Sequence, residues 1–337
     1  MKTLFFTAAA AALLCSCDKD NFQTVEPEGP VTENTSAVVL SSRTKSFFDP
    51  TATAESWEKS LSSVCVLVFG ADGRLLVQRN FTDSELSAKK ATFAIPNALA
   101  GQNCDFYVVA NKTVGGISGK TALMTLSETT PAEYNGTFAE VSAQAKRSGG
   151  FVMTGHTTKA IAAQGTKTDV AVTLERPVAK IAVQASTTAE FSERYSGKVR
   201  INSAVLSKAA SRSNLIAQQT PNTGPMTFTH TQAADELSGK FRNLFYVPEN
   251  GELAEGSRLL LTLGATYDRD GNFSTTDDQA EVAYPVELSG DGAGRFLRNG
   301  YYRVQALIDG LTGSELSVSI SVADWEAPVT QSVNLGQ

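Results

Sequence analysis

Val64-Cys65-Val66-Leu67-Val68-Phe69, followed at once by Gly70-Ala71-Asp72-Gly73, decides the fold. The six residues are apolar on both faces and bounded by a turn signal, so they predict a central, fully buried strand. Asp72-Gly73 supplies the positive φ values that a tight hairpin needs, and Leu75-Leu76-Val77 returns beside it. Further along, Ala91-Thr92-Phe93-Ala94-Ile95 alternates and stops at Pro96. Asp105-Phe106-Tyr107-Val108-Val109-Ala110 is a second buried run, ended by Asn111. Residues 112–150 carry weaker signals, with short helices expected at Ala122–Leu126 and Ala139–Lys146.

Val170–Leu174 and Val178–Val183 bracket Glu175-Arg176-Pro177, and a proline cannot continue a central ladder. The domain junction is therefore expected there. Beyond it, strands are predicted at Lys198–Leu206, Asn243–Val247, Leu259–Tyr267, Ala280–Leu288 and Tyr301–Ile308, with Asp268-Arg-Asp-Gly-Asn272 as a hairpin turn. Leu316-Ser-Val-Ser-Ile-Ser-Val322 alternates strictly, which gives one core face and one wet face. Short strands at turn-punctuated spacing, twice over, predict an all-β chain of two tandem β-sandwich domains. No βαβ alternation supports a parallel sheet.

The start of the chain fixes the compartment. Lys2 is a positive n-region, Leu4–Leu14 is apolar but too short to span a bilayer, and Leu14-Cys15-Ser16-Cys17 reads as a lipobox. Residues 1–16 are then a lipoprotein signal peptide, and Cys17 carries the diacylglyceryl and acyl (palmitate) chains that anchor the protein at the outer membrane. Residues 17–50 read as a lipidated polar linker or pro-segment. Ser36–Ser41 is an ordered, strand-like island in it, and Ser42-Arg43-Thr44-Lys45 is an exposed basic spot. Residues 51–176 and 177–337 are the two sandwiches. A net charge of −6 gives a nucleic-acid partner no electrostatic support.

Catalytic constellations are missing. The two histidines, His156 and His230, have no metal-ligand neighbours in sequence, so neither a metal nor a cofactor is expected. There is no nucleophile elbow, and Gly290-Asp-Gly-Ala-Gly294 lacks the dinucleotide fingerprint. Asp268-x-Asp270-Gly271 is read as a turn too compact for a calcium loop. The expectation is a non-enzyme. Cys15 leaves with the signal and Cys17 is the lipid site. Cys65 and Cys104 remain, and a bridge between them or two buried thiols both stay open.

Taken in order, several segments carry a resemblance. They are Val66-Leu-Val-Phe-Gly-Ala-Asp-Gly73, Phe106-Tyr-Val-Val-Ala-Asn111, Met153-Thr-Gly155, Leu174-Glu-Arg-Pro-Val-Ala-Lys-Ile181, Phe245-Tyr-Val-Pro-Glu-Asn250, Asn299-Gly-Tyr-Tyr-Arg-Val304 and Val322-Ala-Asp-Trp325. Together with the lipobox, the chain resembles the fimbrillins, the lipoprotein-derived subunits of type V pili.

The resemblance implies two transthyretin-like Greek-key sandwiches, export to the outer-membrane surface, and cutting by an arginine-specific protease after the first strand. It further implies polymerisation with other pilin subunits by donor-strand exchange, in support of adhesion. Mapped here, the expelled strand is Ala37–Leu40, the cut falls between Arg43 and Thr44, and the donor is Pro328–Leu335 with Val329, Val333 and Leu335 on one face. Arg74 and Arg79, in or beside strands, are expected to be shielded from the protease. The alternative is a non-polymerising surface glycan-binding lipoprotein. It would need an exposed aromatic platform, which Trp57 and Trp325, each beside a core strand, do not suggest.

Overall fold

The computed structural model describes residues 35–42, 55–311, 319–323 and 334–335. The first half holds β1 (Thr35–Ser42), β2 (Val64–Phe69), β3 (Leu75–Asn80), β4 (Lys90–Ala94), β5 (Asn103–Ala110), β6 (Ser127–Glu128), β7 (Met153–Ala160) and β8 (Thr168–Leu174). Three short helices lie among them, α1 (Asp83–Ala88), α2 (Lys120–Met124) and α3 (Phe138–Val141), with 3-10 turns at Ser56–Lys59, Asn97–Leu99 and Pro131–Tyr134. The second half holds β9 (Val178–Thr187), α4 (Ala189–Arg194), β10 (Lys198–Ala209), β11 (Ser213–Asn214), β12 (Phe228–Ala233), β13 (Asp235–Leu237) and β14 (Lys240–Pro248). It continues through β15 (Leu260–Asp268), β16 (Gln279–Glu287), β17 (Tyr301–Ile308), β18 (Ser319–Ala323) and β19 (Asn334–Leu335).

The protein is an all-β sandwich fold. In the first half a sheet of order β3-β2-β5-β7 faces one of order β4-β1-β8. β2 is buried at every position because it is central and covered on both sides. Its turn to β3 closes with Gly70 N–H bonded to the Arg74 carbonyl, and Gly73 takes φ +76°. In the second half a sheet of order β12-β10-β15-β16 faces β13-β14-β9-β17-β18, and β19 also pairs with β17. Three pairings are parallel, β1 with β8, β9 with β17 and β17 with β19, so the sheets are mixed where the sequence suggested none. The β15–β16 connection runs from Arg269 to Asp278, longer than the compact turn expected. The carboxylates of Asp268 and Asp270 accept from the Asn272 amide and Asp278 accepts from the Asp270 amide, so these acids organise the loop.

β9 explains how the halves join. Along it Ala179, Ile181 and Val183 enter the second-half core, while Val178 and Ala182 enter the first-half core. The same split recurs on β14, where Phe245 and Tyr246 face opposite cores, and on β17 with Tyr301 and Tyr302. Side chains alternate across a strand, so the β14-β9-β17 sheet is a layer shared by both cores. β6 of the first half also pairs with β11 of the second.

Inside this seam sits a buried charge cluster. Lys180, on the first-half face of β9, donates Nζ to Glu58 Oε1 at 2.6 Å, with the two side chains 2% and 1% exposed. Arg176 donates to the Glu58 carbonyl and, at 2.9 Å, to Asn299 Oδ1, and Tyr246 OH reaches Glu58 Oε1 at 3.3 Å. Phe151 fills the gap between them, its ring centroid 4.8 Å from that of Tyr246 and 5.5 Å from the Arg176 guanidinium carbon. Burial pushes the Arg176 guanidinium down to about 10 and lowers Lys180, with the Glu58 charge opposing both shifts.

Two predictions follow from this packing. Lys180→Ala leaves Glu58 without its direct salt-bridge partner, and urea unfolding should show a loss of about 3–5 kcal/mol. Gly155 of β7 has no room for a side chain, since a Cβ would lie 2.2 Å from the Thr173 carbonyl oxygen. Gly155→Ala should therefore lose at least about 1–3 kcal/mol in the same assay, because backbone must shift to admit a methyl group.

Candidate functional site

β1 is the middle strand of its sheet. It lies between β4 and β8, antiparallel to the first (Val38 opposite Ala91) and parallel to the second (Val38 opposite Val170). Among the described residues nothing else links β4 to β8. Their inward residues Ala91, Phe93, Val170, Val172 and Leu174 are all buried in the first-half core. Withdrawing β1 would therefore leave a slot with two unpaired sheet edges and an apolar floor.

The sequence-derived site residues fall around this slot unevenly. β1 ends at Ser42 opposite Leu174, and the expected cut at Arg43 and Thr44 lies outside the described residues, as do Cys17, Val329, Val333 and Trp325. Leu335 falls in β19, which pairs with Ile308 of its own chain's β17. Cys65 and Cys104 are both free and buried. Cys65 registers opposite Val109 of β5, so Cys104 lies five residues along, about 17 Å away at strand rise and far beyond disulfide reach. Burial raises both thiols above the ordinary cysteine range. The expectation that strand arginines are shielded fails at Arg74, whose side chain is 74% exposed. Its backbone is tied down, since Arg74 closes the β2–β3 turn and bridges to Gly119.

Both histidines serve local contacts. His230 Nε2 lies 3.1 Å from the Gly136 carbonyl. His156 stacks on Tyr107 at 4.3 Å and faces Asp105, which Lys120 Nζ reaches at 2.6 Å and Thr158 Oγ1 at 2.5 Å. Trp57 is half-buried against Phe151, 6.1 Å between centroids, and offers no platform to solvent. Burial alone would raise the Asp105 pKa, but the hydrogen bonds from Lys120, Thr158 and His156 outweigh it and hold the carboxyl below its usual value. The folded state thus favours the carboxylate, a contribution present above the unfolded pKa and lost as pH falls through the lower folded one. Asp105→Asn should cost stability at pH 7 and cost progressively less as pH falls below about 4, read by urea unfolding at each pH.

The geometry has solved counterparts. A fimbrillin, FimA, from Porphyromonas gingivalis W83 superposes with TM-score 0.56 at 15% identity, covering 92% of this chain and 100% of the other. The tip fimbrial protein Mfa3 from Porphyromonas gingivalis gives 0.53 at 16% identity over 87% and 100%. A fimbrial assembly protein from Parabacteroides distasonis ATCC 8503 gives 0.53 at 15% over 89% and 99%. At such identities the likeness is one of fold. No curated protein matches in sequence. The family model described as Mfa2, the fimbrillin-A associated anchor proteins Mfa1 and Mfa2, matches residues 31–329. Over almost its whole length, then, the chain belongs to this fimbrillin-associated family.

Proposed function

We propose that this chain is a structural subunit of a surface fimbrium, delivered as a lipoprotein and assembled by donor-strand exchange. Family membership supports a fimbrial, adhesion-related role at the cell surface, structural rather than catalytic. The finer steps are inference. Cys17 would carry the lipid that tethers the subunit to the outer membrane during delivery. An arginine-specific protease would then cut between Arg43 and Thr44 and release β1.

The observation that carries this reading is the position of β1 as the middle strand of β4-β1-β8. Among the described residues no element precedes β1, so its loss would cut none of them. Its departure exposes two main-chain edges at once, and an incoming strand gains hydrogen bonds on both sides while alternate side chains enter the floor. The donor would be residues 328–335 of a neighbouring subunit, with Val329, Val333 and Leu335 directed inward. In the single chain the end of that segment, β19, rests on β17. The two halves flanking Pro177 would act as tandem domains, with the shared β9 sheet holding their relative angle.

The chain beginning at Thr44 should form higher-order species in size-exclusion chromatography, whereas the chain beginning at Asp18 stays monomeric. Added peptide of residues 35–43 should suppress the assembly. Identical monomeric behaviour of both chains would rule out strand exchange.

A further inference from the structure

A second sheet edge lies open in the first half, and a cleft runs along it. Thr154 of β7 uses both its N–H and its C=O on Glu175, each at 2.8 Å. Backbone groups alternate sides along an antiparallel strand, so His156, Thr158 and Ala160 also turn N–H and C=O away from β5. Among the described residues no strand pairs with them, since β7 ends its sheet. The adjoining cavity, about 430 Å3, is lined by β7 from Thr154 to Thr157, by Glu175, and by Met124 and Ile216 from the two halves. Its size and its position between the halves are those of a binding site.

Charge and edge protection both point to one kind of occupant. Glu175 is exposed and, among the described residues, has no ion-pair partner, whereas neighbouring Asp105 is already held by Lys120 at 2.6 Å. Elsewhere the chain closes a free edge with side-chain amides. On β14, Asn135 bonds both the N–H and C=O of Tyr246 (2.9 and 2.7 Å), and Gln232 does the same for Leu244 (2.9 and 3.1 Å). Among the described residues no such cap covers His156, Thr158 and Ala160. An uncapped edge beside a cavity is a template for an added strand.

We propose that the outer edge of β7 takes an extended segment of another protein chain as an added strand, with a Lys or Arg directed at Glu175. Main-chain bonds supply the affinity, and the cavity selects one side chain. A long basic residue lays its apolar stem on Met124 and Ile216 and brings its charge to the carboxylate. The site is distinct from the β1 slot, because β1 lies on the other edge of β8 from the Glu175 bridge. It does not depend on strand exchange.

The test uses the chain beginning at Asp18 and synthetic hexapeptides of alternating valine and threonine with one central lysine or one central glutamate. Fluorescence anisotropy should show saturable binding of the lysine peptide and weaker binding of the glutamate one. Glu175→Gln should weaken the lysine peptide by about fivefold. A backbone N-methylated lysine peptide should not bind, and amide exchange at His156, Thr158 and Ala160 should slow only when the unmethylated peptide is present. Equal binding of both charges, or binding that survives N-methylation, would overturn the proposal. Protection of those three amides in the free chain would overturn it too, because a segment of the same chain would then already fill the edge.

Discussion

The Glu58–Lys180 contact is the constraint around which the rest of the structure is arranged. Two charges at 1% and 2% exposure cost several kcal/mol each to desolvate, and their attraction offsets that cost only with good geometry and further hydrogen bonds. The seam provides these through Tyr246, Arg176 and Asn299. The effect is one of register. Lys180 is the charged residue within an otherwise apolar run from Val178 to Val183, and a one-residue slip would carry it into the second-half core and present Ile181 to Glu58. An all-apolar β9 could slide; this one is pinned to the turn at Ser56–Lys59.

That pin separates two mechanical tasks. β8 ends at Leu174, Glu175 bridges to β7, and Arg176 already belongs to the seam. The slot between β4 and β8 is therefore built wholly from the first half, while the join between halves begins two residues later. The cluster is built from Glu58, Arg176, Lys180, Tyr246 and Asn299. The β4-β1-β8 sheet and the shared β14-β9-β17 sheet are thus separate ladders.

Much of this was legible in the sequence. The run Val64–Phe69 announced a buried strand because six apolar residues in a row leave no face for water, and Val178–Val183 did so with Lys180 as the one charge among five apolar residues. The slot strand was visible as an apolar island in a polar linker, though only the structure gives its two neighbours. β7 was not recognised as a strand, because Met153-Thr-Gly-His-Thr-Thr-Lys-Ala160 lacks alternation: its edge position leaves most side chains in water. The Thr82-x-x-Glu85 and Thr137-x-x-Glu140 capping boxes could have located α1 and α3, since each threonine accepts from the amide three residues on. The seam was not legible at all. Glu58, Arg176 and Lys180 look like ordinary surface charges, and their meeting depends on β9, β14 and β17 each showing a face to both cores. The parallel pairings were hidden for the same reason, since a long-range crossover leaves no local periodicity.

The treatment of sheet edges then ties the architecture to its use. Every unpaired strand edge invites addition of another strand, and this chain answers differently at each one. At β14 side-chain amides from Asn135 and Gln232 imitate a partner strand. On β16 Pro285 removes one N–H from the edge. Between β4 and β8, β1 covers two edges simultaneously. On β7 the edge past Thr154 has no partner strand among the described residues. The chain thus treats its edges unequally: side-chain amides oppose strand addition at β14, and the edge of β7 past Thr154 offers no such barrier among the described residues.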